Sequence, residues 1–384
     1  MAIDRRKFIS RCAKCSATIA AASIADTSSL ISIFPADANA ELPRADDLSR
    51  IEARHYKKLE HLEIECGICP RKCKISPLER GYCGTRENQD GSYYTLVYSR
   101  PCSINVDPIE KKPLFHYLPG TTAFSLATAG CNVNCKFCQN WDISQVRPEQ
   151  LDNYDLSPAD IARLAKQSNS PTIAYTYSEP VIFYEYMYDC AVEGHRNGIR
   201  SVAITGGYIQ PDPLKELLKV LDAVKIDLKG FTEGFYKDYV QGELKPVLEA
   251  IKIMHDEGKW IELVYLVVPT LNDNPEDIKR MSDWIASTLS PDVPIHFTRF
   301  HPMYLLKNLP PTPISTLEEL FSTAKKQGLN YVYIGNVPGH EAEHTYCPQC
   351  HRILIQRQGF TLESFNISDS KCKFCGNKIP GIWS

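Results

Sequence analysis

The 384-residue sequence lacks an excess of charge of either sign and lacks a long uninterrupted apolar segment. It has 43 lysines and arginines against 46 aspartates and glutamates, and this balance gives no electrostatic footprint for nucleic acid or an anionic membrane. The apolar stretch from Ala17 to Phe34 is interrupted by the polar residues 26–29, so we expect no stable membrane insertion. A chain of this length has room for roughly two to three domains with a sizeable core.

The first 40 residues have the pattern of an export signal rather than of a folded domain. Arg5 and Arg6 precede the apolar stretch, and the residues 38–40 (Ala-Asn-Ala) offer a cleavage site of small residues. This order resembles a twin-arginine signal with cleavage after Ala40, which favours the periplasm or cell envelope. The chemistry predicted below needs cofactors supplied in the cytoplasm, so both locations stay open.

Cysteine is abundant, and 11 of the 15 cysteines fall into three spaced clusters. The central cluster, Cys131, Cys135 and Cys138, has C-x3-C-x2-C spacing. Such a loop can hold three irons of a 4Fe-4S cubane, which normally takes four thiolates, so one iron is left open to a small molecule. A closed structural zinc site would need a fourth ligand, and no fourth cysteine lies near these three in the sequence.

The two outer clusters each supply four cysteines. The early one has C-x2-C-x3-C-x9-C spacing, and either zinc or a second iron–sulfur cluster would suit it. The late one consists of two C-x2-C pairs, for which zinc is the default and a rubredoxin-like iron or a third cluster the alternatives. The early residues are Cys66, Cys69, Cys73 and Cys83, and the late ones are Cys347, Cys350, Cys372 and Cys375. We expect Cys102 and Cys190 to be buried thiols.

Strand-like and helix-like patterns alternate through the middle of the chain. This alternation predicts βα units that form a parallel sheet, closed or nearly closed as a partial TIM barrel. The predicted strands are 122–128, 172–177, 200–205, 223–228, 260–268, 295–300 and 331–334, and the predicted helices are 158–167, 181–197, 214–221 and 277–288. We also expect a charged helix over 42–60. The predicted domains are a signal segment (1–40), a cysteine-rich region with a lead-in (41–120), the barrel (121–340) and a zinc-ribbon-like lobe (341–384).

Several residues that suit a binding site follow the predicted strands. The chemistry of such barrels lies at the carboxyl ends of the strands, so these residues are expected to share one rim with the central cysteines. They are Glu179 after the second strand, Gly206 and Gly207 after the third, and Asp227 and Lys229 at the end of the fourth.

The central cysteine loop, the segments 175–180, 227–229, 296–301 and 333–339, and the final cysteine pairs together resemble the AmmeMemoRadiSam system radical SAM enzymes. This group is similar to the activating enzymes of glycyl-radical proteins such as pyruvate formate-lyase. The resemblance extends over residues 60–384. It implies a partial TIM barrel that binds one catalytic 4Fe-4S cluster and S-adenosylmethionine (SAM).

The resemblance also implies roles for single residues. The three central cysteines would ligate the cluster, and Phe137 would pack beside the adenine of SAM. Glu179 would contact the SAM amino group, although Tyr177 and Ser178 replace the two glycines that precede this glutamate in many members. The other expected SAM contacts are Gly206, Gly207, Asp227 and Lys229. No catalytic residue of the protein can be assigned.

The implied reaction is reductive cleavage of SAM to methionine and a 5'-deoxyadenosyl radical, which takes hydrogen from an unknown substrate, with a protein substrate as one option. The expected partner is a low-potential electron donor. One alternative is an activase that installs a glycyl radical on a partner protein. Another is an exported iron–sulfur electron carrier without SAM chemistry. A carrier would keep its clusters fully ligated, whereas the central C-x3-C-x2-C spacing leaves one iron without a protein ligand.

Overall fold

A computed structural model describes residues 42–384, and the expected export signal with its cleavage site lies outside these residues. The N-terminal part forms two small antiparallel sheets. In one, β1 (Ile51–Glu52) pairs with β6 (Ser92–Thr95), and β6 pairs with β5 (Arg86–Gln89). In the other, β3 (Ile64–Cys66) lies between β2 (Tyr56–Lys58) and β4 (Lys74–Ile75).

The prediction of a helix over 42–60 is wrong. This segment contains β1 and β2 and leads into a short 3-10 turn, Glu60–Leu62. Its charged residues favour a helix only weakly, and backbone pairing with β3 and β6 outweighs that preference.

The centre of the molecule is an eight-stranded sheet curved into a partial barrel. Its strands are β7 (Ser103–Pro108), β8 (Thr122–Ala127), β9 (Thr172–Tyr175), β10 (Arg200–Thr205), β11 (Ala223–Asp227), β12 (Trp260–Val267), β13 (Ile295–Arg299) and β14 (Val332–Gly335). They pair in chain order, with β8 to β14 parallel and β7 antiparallel to β8. The predicted parallel α/β sheet is confirmed. Within residues 42–384, no pairing joins β14 to β7, so the barrel is open on that side.

Helices connect the strands. They are α1 (Trp141–Ser144), α2 (Pro158–Gln167), α3 (Tyr184–Arg196), α4 (Pro211–Leu218), α5 (Glu233–Phe235), α6 (Leu244–Asp256), α7 (Pro275–Trp284) and α8 (Ile314–Lys326). The predicted helix 158–167 matches α2 at both ends, and the other predicted helices correspond to α3, α4 and α7 with shifted ends, whereas α6 and α8 were not predicted. The Ser157 hydroxyl caps α2 by accepting a hydrogen bond from the backbone N–H of Asp160. The Asp160 carboxylate in turn accepts a hydrogen bond from the backbone N–H of Ser157. None of the helices in residues 42–384 has the length and apolar character needed to span a membrane.

The C-terminal lobe contains a three-stranded antiparallel sheet and a short hairpin. The sheet strands are β15 (Thr345–Tyr346), β16 (Ile353–Gln358) and β17 (Thr361–Phe365), and the hairpin strands are β18 (Ile367–Ser368) and β19 (Lys371–Cys372). Buried hydrogen bonds join the lobe to the segment before β8. Arg357 donates to the carbonyl of Phe115 (2.8 Å), and His116 Nδ1 donates to the carbonyl of Pro380 (2.8 Å).

Candidate functional site

A cavity of about 460 Å³ opens at the carboxyl ends of the barrel strands. This volume lies within the range of ligand-binding pockets, which runs from about 300 to 1,000 Å³. The loops after β8, β9, β10 and β11 bring most of the sequence-predicted residues to its wall. The lining includes Cys131, Cys135, Cys138, Phe137, Glu179, Gly206, Asp227 and Lys229. Gly207 does not line it, since a Cβ there would face Ile226 and Val247.

The cysteine loop begins at Gly130, whose φ of +96° lies in a region that side chains disfavour. The loop is held by backbone hydrogen bonds to the π-helical turn Tyr236–Val240, in which the N–H of Asn134 and that of Lys136 donate to carbonyls of the turn. Burial raises the pKa of Cys135 to about 12. Because metal ligation requires thiolates, a cluster that binds here must displace protons from the loop.

Phe137 lies between the last two cysteines and is almost completely buried. Its ring stacks on Phe235 with the centroids 5.8 Å apart. The ring of Phe235 in turn stacks on Tyr239 at 5.3 Å. Of the three rings, that of Phe137 lines the cavity beside the cysteines, and the other two hold it in place by stacking.

Glu179 is buried and accepts three hydrogen bonds. Its Oε1 accepts from Thr205 Oγ1 (2.5 Å) and from the N–H of Val181 (3.2 Å), and its Oε2 accepts from the N–H of Gly206 (2.8 Å). Burial raises the pKa of Glu179 in spite of these donors. An ionised carboxylate has about four acceptor positions, so Oε2 keeps one for a donor in the cavity.

Gly206 lies in a narrow gap, because a Cβ there would be 3.3 Å from Glu179 Oε2 and 3.4 Å from Lys229 Cε.

Asp227 and Lys229 are half-buried and form a charge cluster with the buried Lys225. Lys225 Nζ lies 2.5 Å from Asp227 Oδ1, and Lys229 Nζ lies 4.0 Å from Asp227 Oδ2. Burial alone would raise the pKa of Asp227, but the two lysines hold it below its usual value. Sequence reasoning missed Lys225. The available signal was a lysine two residues before Asp227 in an apolar strand, since side chains two apart in a strand share one face.

A second charge cluster on the cavity wall was also missed. Asp107 at the end of β7 accepts hydrogen bonds from Lys111 (2.8 Å) and Lys112 (2.5 Å). The hydroxyl of Tyr177 donates to the same carboxylate. Burial lowers the pKa of Lys112 to about 8, although Asp107 opposes the shift. No local pattern marks the contact of Asp107 with Tyr177, because 70 residues separate the two along the chain.

The cysteines of the two outer clusters do not line this cavity. The four C-terminal cysteines converge, with sulfur–sulfur distances of 3.6 Å between Cys347 and Cys375 and 3.8 Å between Cys350 and Cys372. Their sulfurs all lie within 4.8 Å of one another, so they could hold one metal ion. The four N-terminal cysteines line a separate small cavity.

Comparison with known sequences agrees with this arrangement. The model of the radical SAM superfamily matches residues 125–285. An uncharacterized protein of Methanocaldococcus jannaschii is 47% identical over 330 residues, which cover 85% of this chain and 98% of that protein. The pyruvate formate-lyase-activating enzyme of Clostridium pasteurianum is 22% identical over 164 residues, or 41% of this chain and 67% of that enzyme. The structure of Streptococcus suis SuiB bound to S-adenosylmethionine aligns with a TM-score of 0.44 and 12% identity, covering 59% of this chain and 53% of that one.

The partial barrel with a three-cysteine loop at its mouth is the architecture of a radical SAM protein. The chain belongs to the radical SAM superfamily and is an enzyme similar to the activating enzymes of pyruvate formate-lyase. The family implies a 4Fe-4S cluster and SAM as cofactors. The site fits both, since three thiols without a fourth face a cavity that also offers an acceptor position on Glu179 and the ammonium of Lys229.

Proposed function

We propose that this enzyme reductively cleaves SAM at a 4Fe-4S cluster held by Cys131, Cys135 and Cys138, and directs the resulting radical to a substrate hydrogen atom. The observation that supports the proposal is that three cysteines of one loop open onto the same cavity as Glu179, Asp227 and Lys229. When bound, the cluster and SAM supply one electron and a 5'-deoxyadenosyl radical, with methionine as the other product.

The protein residues position the cofactors and exclude water. Glu179 accepts a hydrogen bond from the SAM amino group at the free position of Oε2. Lys229 attracts the SAM carboxylate and offsets thiolate charge, since its pKa is raised by Cys135 and Asp227 although burial acts against the rise. Gly206 lets the backbone approach the nucleotide because no side chain fills its gap. Phe137 packs beside the adenine.

The remaining regions have supporting roles in this proposal. Residues 41–120 form the cysteine-rich lead-in, 121–340 the catalytic barrel and 341–384 a lobe that binds zinc. A single tetrahedral ion is supported by the sulfur–sulfur distances of 3.6 and 3.8 Å, because thiolates at about 2.3 Å from such an ion lie about 3.8 Å apart, and zinc is the default ion for two C-x2-C pairs. A low-potential donor supplies the electron.

The test is an assay for 5'-deoxyadenosine. The protein is purified anaerobically, reconstituted with iron and sulfide, and mixed with SAM and dithionite. We expect 5'-deoxyadenosine from the wild type and none from the variant with Cys131→Ala, Cys135→Ala and Cys138→Ala. Cys102→Ala is the matched control, since Cys102 is a half-buried cysteine that does not line the cavity. Normal product formation by the triple variant would contradict the proposal.

A glycyl-radical activase is a second candidate, supported by the similarity to pyruvate formate-lyase-activating enzymes. It predicts a stable complex with a partner protein and an organic radical signal on that partner. An exported electron carrier is less well supported, because three cysteines leave one iron of the central cluster open. A wild-type protein with an intact 4Fe-4S cluster and no 5'-deoxyadenosine would favour the carrier.

A further inference from the structure

The four N-terminal cysteines form a second thiol site next to the central loop. Cys66 ends β3, Cys69 and Cys73 lie in the turn between β3 and β4, and Cys83 lies between β4 and β5. All four line one small cavity. Cys66 and Cys69 are buried, and Cys73 and Cys83 are half-buried. Four thiols around one enclosed space indicate a metal site.

The spacing of the sulfurs distinguishes a single ion from a cluster. Among residues 42–384, the C-terminal cysteines are the one set of three or more cysteine, histidine or carboxylate residues whose ligand atoms all lie within 4.8 Å of one another. No three of the N-terminal sulfurs therefore all lie within 4.8 Å of one another, an arrangement wider than that of four thiolates on one zinc ion, and the same holds for the central loop. In a cubane, each thiolate binds a different iron, so the sulfurs lie further apart.

We propose that Cys66, Cys69, Cys73 and Cys83 bind a second 4Fe-4S cluster whose four irons are all ligated by the protein. Full ligation leaves no open iron for SAM, so this cluster differs from the one proposed at the central loop.

The surroundings of the cysteines suit such a cluster. Ile68, Val181 and Ile182 line the cavity and keep water away from it. The guanidinium of Arg71 on its wall, which has backbone carbonyls and no carboxylate as hydrogen-bond partners, offsets part of the negative charge of the thiolates, and Arg86 lines the same wall. Arg86 is fully buried and pairs with Glu185 at 3.0 and 2.5 Å, so its position is fixed.

The second site is in direct contact with the central loop. Arg71 Nε donates to the carbonyl of Asn132 (2.5 Å), and Asn132 follows the central Cys131 while it also lines the second cavity. A Cβ on Gly130 would lie only 2.6 Å from the carbonyl oxygen of Cys83. The ligand loops of the two clusters therefore touch without an intervening layer of side chains.

This contact places the two clusters close enough to exchange single electrons. The oxidised and reduced states differ by one electron at each cluster, and an external donor such as dithionite or a low-potential electron-transfer protein supplies it. A surface groove of about 900 Å³ is lined by both Cys83 and Cys131, which gives a donor access to both loops. The exchange between clusters rests on the function proposed for the central loop, whereas binding of the second cluster does not.

Iron and zinc contents of the reconstituted protein test the proposal without SAM. We expect about eight irons and one zinc per wild-type chain, and about four irons in the variant with Cys131→Ala, Cys135→Ala and Cys138→Ala. Replacing the four N-terminal cysteines by serine should likewise leave about four irons, and Cys102→Ala should leave about eight. About four irons and two zincs in the wild type, or an iron-free triple variant, would overturn the assignment.

The electron paramagnetic resonance spectrum of the reduced protein tests whether the clusters are neighbours. We expect spin coupling to broaden the wild-type spectrum relative to the sum of the two single-cluster variants, and SAM to leave the spectrum of the triple variant unchanged. A wild-type spectrum equal to that sum would refute the contact. If the serine variant does not fold, the iron content of the triple variant still tests the second cluster, because its substitutions lie outside the second site. A triple variant that keeps four irons also supports the second cluster when the wild type makes no 5'-deoxyadenosine.

Discussion

Replacing Glu179 by glutamine tests the proposed SAM contact most directly. In the structure, Glu179 Oε2 accepts one hydrogen bond, from the N–H of Gly206, and has one acceptor position left toward the cavity. Glu179→Gln removes the negative charge. A hydrogen bond to a charged group contributes about 1.5–3 kcal/mol, so the dissociation constant of SAM should rise about 10- to 150-fold.

The assay is equilibrium dialysis of labelled SAM against the reconstituted protein, with iron content measured in parallel. Glu110→Gln is the matched control, because Glu110 is also a buried glutamate that accepts a backbone N–H, from Gly120 at 2.7 Å, but does not line the cavity. Burial raises the pKa of Glu179, and its protonated form carries no charge. As the pH is lowered, SAM binding should therefore begin to weaken at a pH above the usual pKa of a glutamate. Unchanged SAM affinity in Glu179→Gln at full iron content would refute the contact.

Three further predictions concern stability. Gly130→Ala should cost about 1–3 kcal/mol of backbone strain and should add steric overlap between the new Cβ and the Cys83 carbonyl. Iron content and the unfolding midpoint should therefore fall further than in Gly258→Ala, where φ is also positive but nothing lies within 4 Å of the added Cβ. Equal effects of the two substitutions would argue against the overlap. A chelator should remove the metal proposed at the C-terminal cysteines, since Cys375 is exposed, and make residues 353–365 more sensitive to protease, whereas an unchanged digestion pattern would contradict a structural metal. Burial lowers the pKa of His116 to about 4, so its contribution to the free energy of unfolding is complete above the usual histidine pKa and is lost as the pH falls toward 4. The loss amounts to roughly 3 kcal/mol, and His116→Asn should flatten this part of the pH dependence in denaturant titrations, whereas an unchanged slope would show that other groups cause it.

Much of the fold could be predicted because its signals are local. The strands β8 to β14 are short apolar runs between helical patterns, and alternation of the two requires parallel pairing. The helix predicted over 42–60 was wrong because the structure of this segment depends on residues that are distant in the chain. Its strands β1 and β2 exist only because β6 and β3 pair with them, and β6 lies about 40 residues further along the chain.

The cysteine sites show the same difference between what local sequence predicts and what the folded structure adds. The spacing of Cys131, Cys135 and Cys138 is a property of one short loop, so the sequence by itself indicated a cluster with an open iron. For the four N-terminal cysteines, spacing left zinc and a cluster equally open. In the folded lobe no three of their sulfurs all lie within 4.8 Å of one another, and this arrangement favours the cluster.

The sequence by itself determined the class of chemistry, the order of the parallel strands β8 to β14, and the rim on which Glu179 and Asp227 lie. Only the tertiary structure decided which charges face each other, such as Asp107 with Tyr177, and that the loop of Cys83 touches Gly130. The physical reason is the distance along the chain over which each kind of interaction acts. Hydrogen-bonded turns and side-chain periodicity act over a few residues, whereas the distance between two buried groups far apart in the chain depends on how the whole barrel packs.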